Sequence, residues 1–216
     1  MKVAGLCLAL LVLAVAHRTE AKEPMLSLDG KWRFDLDATD VGIGERWFER
    51  KLGGSIQLPG SLPERGVGDP VTVDTKWTGG IVDKSFFTAP EFARYRQPGN
   101  VKVPFWLQPT AYYAGPAWYQ REFGIPADWE GKRAVLFLER PHWETRVWID
   151  GSLAGTNNSL ATPHEYDLGP LRAGEHTLTI RVENRTIVAI GENSSRNREE
   201  KNRQRRRGLD QPHPKR

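Results

Sequence analysis

Two segments of this chain alternate apolar and polar residues one by one. From Glu144 to Asp150, Thr145, Val147 and Ile149 fall on one face and Glu144, Arg146, Trp148 and Asp150 on the other. From His176 to Asn184, Leu178, Ile180 and Val182 are predicted to point inward and Thr177, Thr179, Arg181 and Glu183 outward. A period of two is the period of a strand, whereas a helix needs 3.6. Asp150-Gly151 then closes a hairpin, because glycine accepts a positive φ, and Ala173-Gly174 turns into the last strand. Trp118 to Ile125 is a third strand, with Tyr119, Arg121 and Phe123 on one face. Arg133 to Glu139 is an apolar run, fit for a strand buried in a sandwich. No helical period lasts beyond two turns, and there is no internal repeat. The fold expected is all-β, an antiparallel β-sandwich of the jelly-roll kind.

Upstream, Leu26 to Phe34 opens the domain, with Asp29-Gly30 as a turn and Trp32 and Phe34 on one face of a short strand. Leu58-Pro59-Gly60-Ser61-Leu62-Pro63 reads as a loop, since prolines and glycine interrupt a ladder. From Val71 to Leu107 the pattern is irregular, with Trp77, Phe86, Phe87, Tyr95 and Trp106 scattered among glycines and prolines. That is expected to be a long loop, ordered by its aromatics and of the sort that carries function.

The ends differ from the middle. Lys2 followed by the apolar stretch Val3 to Ala16, with Ala14-Val15-Ala16 as a cleavage site, reads as a secretory signal peptide over residues 1–21. The stretch is too short to span a bilayer as a helix. Cys7 is the only cysteine. After cleavage the protein has no disulfide, and an exported domain at 22–193 depends on its core. The net charge of +4 belongs to the other end. Residues 196–216 hold nine Lys and Arg against three Asp and Glu, a net of +6, which leaves residues 1–195 at −2. The basic run Arg203-Gln204-Arg205-Arg206-Arg207 has no aromatics interleaved for base stacking, and a signal peptide argues against a nuclear role. Residues 194–216 are therefore read as a solvated basic tail rather than a nucleic-acid interface. The composition change there also fits a truncated or frame-shifted end. No membrane is expected as a partner once the signal is removed.

Several stretches, in their order and spacing, resemble the N-terminal sugar-binding domain of glycoside hydrolase family 2, the β-galactosidase, β-glucuronidase and β-mannosidase group. They are Leu28-Asp29-Gly30-Lys31-Trp32-Arg33-Phe34, Leu58-Pro59-Gly60-Ser61 and Tyr113-Ala114-Gly115 leading into Trp118-Tyr119-Gln120-Arg121. Val147-Trp148-Ile149-Asp150-Gly151, Gly155, Tyr166-Asp167-Leu168 and Gly174-Glu175-His176-Thr177-Leu178 follow. The resemblance implies a galactose-binding-domain-like jelly roll, placed ahead of an immunoglobulin-like domain and a catalytic (β/α)₈ barrel. These two and a carbohydrate, a β-glycoside, are the partners it implies. It also implies two loops that reach a bound sugar. One matches Asn100-Val101-Lys102-Val103-Pro104. The other matches Gly155-Thr156-Asn157-Asn158-Ser159, with asparagine where the family usually has aspartate. An amide can still donate to and accept from a sugar hydroxyl. Asn100, Asn157 and Asn158 are thus candidate substrate-binding residues, and each can equally be a turn former. Trp77 and Trp106 are candidates for stacking on a sugar. Trp148 is expected to pack under a loop instead. Asn157-Asn158-Ser159, Asn184-Arg185-Thr186 and Asn193-Ser194-Ser195 match the N-glycosylation triplet.

Catalytic residues are not found. A retaining glycosidase needs two carboxylates about 5 to 5.5 Å apart, which the family carries on its barrel. Glu122, Glu139, Glu144, Asp150 and Glu165 sit at strand edges and turns, where solvated surface is the expectation. Five histidines show no paired metal spacing, and there is no nucleophile elbow or phosphate loop, so no metal or cofactor is expected. The reading is a carbohydrate-binding domain of an exported family 2 β-glycosidase, inactive by itself. A free-standing carbohydrate-binding module and a purely structural interaction domain are the alternatives.

Overall fold

A computed structural model of the chain describes residues 24–77, 81–104 and 107–185. The leader, the basic tail and Trp106 lie outside them. Ten strands follow in chain order: β1 Gly30–Leu36, β2 Gly54–Leu58, β3 Asp69–Pro70, β4 Ala111–Tyr112, β5 Pro116–Ile125, β6 Arg133–Leu138, β7 Glu144–Ile149, β8 Ser152–Asn157, β9 His164–Pro170 and β10 Gly174–Glu183. One sheet of six runs in the order β2-β1-β5-β10-β7-β8; β6 pairs with β9, and β3 with β4. Every pairing among the described residues is antiparallel. The protein is an all-β sandwich, with the β6–β9 pair laid on one face of the large sheet.

The first face holds the main core. Trp32, Phe34, Ile56, Ala117, Val147, Leu178 and Ile180 of the large sheet meet Leu136 of β6 and Tyr166 of β9. Removing this apolar surface from water, at about 25 cal/mol per Å², is the main force holding the layers together. The hairpin between β7 and β8 forms as predicted, with Asp150 at φ 49° and Gly151 at φ 77° and Ile149 paired with Ser152. Two positive φ values match the right-handed twist of the flanking strands.

Three expectations need correction. Thr179, Arg181 and Glu183 do not face solvent; they are 1%, 4% and 1% exposed. The connection from β1 to β2, residues 37–53, folds over that half of the second face. Its Trp47 and Leu52 pack with Trp118 and Trp148 in a separate apolar cluster, with Phe48 against it. Second, Arg133–Leu138 is buried on one side only. Val135 and Phe137 are exposed, because nothing described covers the outer face of the two-stranded layer. Third, residues 71–107 are not plain loop. They contain a single helical turn, α1, Ser85–Thr88, and a 3₁₀ stretch at Pro90–Arg96. Ile81, Phe86 and Val103 form a small core of their own there, with Trp77, Phe92, Tyr95 and Val101 around it.

The covering segment is fixed by Asp37, which is 1% exposed. Its carboxylate accepts from Val41 N at 2.8 Å, from Gly42 N at 2.8 Å and from Trp118 Nε1 at 3.1 Å. Position 42 has no room for a side chain, since a Cβ there would lie 2.6 Å from Trp118 Nε1.

Candidate functional site

Sheet register places the Asn157 loop at one end of the sandwich. Thr145 pairs with Asn157 on one side and Val182 on the other, and Val182 pairs with Ala117. Asn157 therefore lies in the row where β5 begins. The chain entering β5 carries Tyr112, whose ring meets Trp77 edge to face at 4.9 Å. Asn184, just beyond the row, accepts from Gly115 N at 2.8 Å and donates to Tyr113 O at 2.7 Å. Both ends of its amide are used, so the Asn184 side chain is committed within the folded domain.

The Asn157–Ser159 loop is held from three sides. Asn157 Oδ1 accepts from Ser159 N at 2.9 Å, a turn in which the side chain imitates backbone. Trp143 Nε1 donates to Asn158 O at 2.8 Å. His164 Nε2 donates to Ser159 O at 2.8 Å. On the other side of the ring, Thr145 Oγ1 lies 2.6 Å from His164 Nδ1. Tyr166 OH is 2.5 Å from the same Thr145 oxygen and 3.1 Å from Thr145 O. Tyr166, Thr145 and His164 are buried, so this polar chain sits inside the sandwich and is fully paired there. Burial is the largest effect and raises the Tyr166 phenol, and the hydrogen bond with Thr145 partly offsets it.

With backbone and Asn157 committed to the turn, the Asn158 side chain is the exposed group of this loop. Asn100 is placed differently. Its amide donates to Arg94 O at 2.8 Å, and its backbone N to Gln97 O at 2.9 Å, which is a turn-forming role. Trp77 is half-buried against Tyr112 and the small core rather than standing free as a platform. Trp148 is 5% exposed and stacked under the 37–53 segment, as the sequence suggested. The anchoring of the loop by Trp143, His164, Tyr166 and Thr145 is not legible from residue types alone. The signal available was His164 and Tyr166, two polar-tipped side chains two residues apart on one face of a strand.

A second charged constellation lies at the same end. Glu144 is not plain surface: its side chain is 14% exposed and paired with Arg146 at 3.2 Å. Arg181 meets Asp40 at 2.8 Å and Glu183 at 3.0 Å, and Arg185 meets Glu183 at 2.6 Å. Burial lifts the Asp40 carboxyl, but hydrogen bonds from Arg185 and Arg181 outweigh it and hold it below the ordinary carboxylate range. These charges pair with one another and tie β10 to the covering segment, and only Arg181 Nε is buried without a partner among the described residues. They are not arranged as a catalytic pair facing a cleft. Among the described residues no group of three His, Cys, Asp or Glu is gathered for a metal, and no helix is long and apolar enough to cross a membrane.

No family model matches the chain. A β-galactosidase of Arthrobacter sp. (strain B7) is 32% identical over 164 residues, which is 74% of this chain and 16% of that enzyme. Among solved structures, the β-glucuronidase of Ruminococcus gnavus, alone and in complex with N1-substituted uronic isofagomine, superposes with a TM-score of 0.50 in each case. Identity is 18% over 74% of this chain, and the match spans 21% and 22% of those two chains. The chain thus spans about a fifth or less of the relatives it matches. The likeness in sequence and in fold is to the family 2 glycoside hydrolases, and the domain is of that glycosidase-related type.

Proposed function

We propose that this domain binds carbohydrate for an exported family 2 β-glycosidase whose catalytic barrel lies outside these 216 residues. In this reading the sandwich packs on the barrel and presents the Asn157–Ser159 loop to the non-reducing sugar. The observation that carries it is the anchoring of that loop. Asn158 is exposed on a backbone fixed by Trp143, His164 and the Asn157 turn. A pre-fixed loop loses little entropy when a hydroxyl-bearing ligand arrives. The 32% identity to a β-galactosidase supports the substrate class, a β-glycoside. Export rests on the Val3–Ala16 leader.

The test is to titrate the chain with a β-galactoside, a β-glucuronide and a β-mannoside by calorimetry, alongside Asn158→Ala. The expected result is weak binding of one of them, lost in the variant, with no turnover of the nitrophenyl glycosides above a heat-killed control. Binding unchanged by Asn158→Ala, or turnover by the chain alone, overturns it.

A further inference from the structure

The segment that covers the second face of the large sheet stops short. Beyond Leu52 the other half of that face, toward Asp150 and Thr177, is open. It forms a groove of about 410 Å³, which shares Arg33, Gln120 and Glu122 with a second groove of about 300 Å³ beside it. Both volumes are in the range of small-molecule sites.

Its floor is fixed. Gln120 is 3% exposed and uses both ends of its amide. Nε2 donates to Arg50 O at 2.9 Å and to Thr179 Oγ1 at 3.2 Å. Oε1 accepts from Leu52 N at 3.3 Å and from Arg33 Nη1 at 3.3 Å. One buried amide therefore positions both the Arg33 guanidinium and the backbone that carries Arg50 and Lys51.

The charges on this floor are unequal. The three carboxylates of the groove already have partners: Glu122 pairs with Arg33 at 2.7 Å, Asp150 with the His176 imidazole at 2.6 Å and Glu49 with Arg46. Lys31 and Lys51 line the same surface, and among the described residues neither makes an ion pair. Arg50 lies over the Trp47 ring at 4.3 Å and reaches Asp35 only at 3.9 Å. The surface therefore has positive charge to spare, set among carboxylate oxygens that can accept hydrogen bonds.

We propose that this groove binds an anionic saccharide, one carrying carboxylate or sulfate groups, at a surface separate from the Asn158 loop. Such a ligand offers an anion to Lys31, Lys51 and Arg50 and hydroxyl donors to Glu122, Glu49 and Asp150. A polyphosphate supplies the first but has no hydroxyls for the carboxylates, which repel it. A neutral saccharide supplies only the second.

The test is calorimetry on the full chain with four probes: a galacturonate tetramer, a chondroitin sulfate tetrasaccharide, cellotetraose and inorganic polyphosphate. The variants are Lys31→Gln with Lys51→Gln, and Asn158→Ala. The expected result is binding of the uronate, the sulfated saccharide or both, weakening as salt is added. The double lysine variant should bind about three- to ten-fold more weakly, the effect of losing two exposed charge contacts. Asn158→Ala should bind like the parent. The proposal is overturned if cellotetraose or polyphosphate binds as well as the acidic saccharides, if none binds, or if the lysine variant is unchanged. Acidic saccharide lost in Asn158→Ala instead moves the ligand to the loop and sinks the groove alone. Failure of neutral glycosides at the loop leaves the groove untouched.

Discussion

Phe48 lies flat on Trp148, with ring centroids 5.0 Å apart and planes within 2° of parallel. Trp148 in turn stacks on Trp118 at 5.2 Å. This column joins the covering segment to the centre of the large sheet. Trp148→Ala should cost about 3 to 5 kcal/mol, since it empties a buried aromatic site. Phe48→Ala removes a half-buried ring and should cost about 1 to 2 kcal/mol. Urea unfolding checks both. Equal costs for the two would contradict the larger role given to Trp148.

Gly42 has a similar role without a side chain. A Cβ at this position would fall 2.6 Å from Trp118 Nε1 and 2.7 Å from Asp37 Oδ2. Gly42→Ala should therefore destabilise by about 1 to 3 kcal/mol, the cost of forcing extra atoms into a packed site. A neutral or stabilising result in thermal unfolding contradicts this account of the turn.

Arg181 and Glu183 test the buried charges. Their side chains are 5% and 1% exposed and 3.0 Å apart. Arg181→Met alone should cost about 3 to 5 kcal/mol, because it strips Glu183 of one of its two cations in a site shielded from water. Arg181→Met together with Glu183→Leu should recover much of that. Asp40 adds a pH signature. Its folded carboxyl sits below its ordinary value, so its contribution is present above about pH 4 and is lost as the pH falls through the folded value. Arg185→Ala should flatten that acid limb in a melting profile.

The strands were legible in the sequence because alternation is local. β7 and β10 were placed within about two residues, and the Asp150-Gly151 turn by its φ preference alone. Which faces are covered was not legible. Alternation separates Thr179 and Arg181 from Ile180, but it cannot say that residues 37–53, more than a hundred positions earlier, will close over them. That segment has no period of its own; it is built from turns and from two ring contacts, Trp47 on Trp118 and Phe48 on Trp148. The same gap hid the exposure of Val135 and Phe137, whose apolar run reads as buried on both sides. For the candidate site, Asn157 and Asn158 were visible as residue types. That one holds a turn and the other stays free depends on distances no sequence states.

His176 gives a second pH dependence, of opposite sign. Its Nε2 donates to Arg172 O at 2.9 Å, and its Nδ1 lies 2.6 Å from Asp150 Oδ2. The Arg172 carbonyl first, then the Asp150 carboxylate, raise the imidazole above its ordinary 6.5. A raised folded value means the stabilisation is complete below about pH 6.5 and is lost as the pH rises through the folded value. His176→Gln should thus lower the melting temperature more at about pH 5.5 than at about pH 8.5. A pH-independent loss would show that packing against Phe123, at 5.8 Å, outweighs the charge.

Thr145 separates anchoring from folding at the candidate loop. Among the described residues its hydroxyl is the one partner of His164 Nδ1, and it lies between that ring and Tyr166 OH. Thr145→Val keeps the volume but leaves His164 Nδ1 buried without its partner, while Tyr166 OH keeps Thr145 O, a cost of about 1 to 3 kcal/mol. The loss should spread beyond stability. His164 Nε2 holds Ser159 O, so a ring free to turn releases the Asn157–Ser159 backbone. Amide exchange should therefore speed at Ser159 more than at Ile180 in the same sheet. Asn158→Ala removes an exposed side chain and should change stability by no more than about 0.5 kcal/mol, while abolishing binding at the loop. If Thr145→Val weakens the domain uniformly, with Ser159 no faster than Ile180, the buried chain serves the core and does not position the loop.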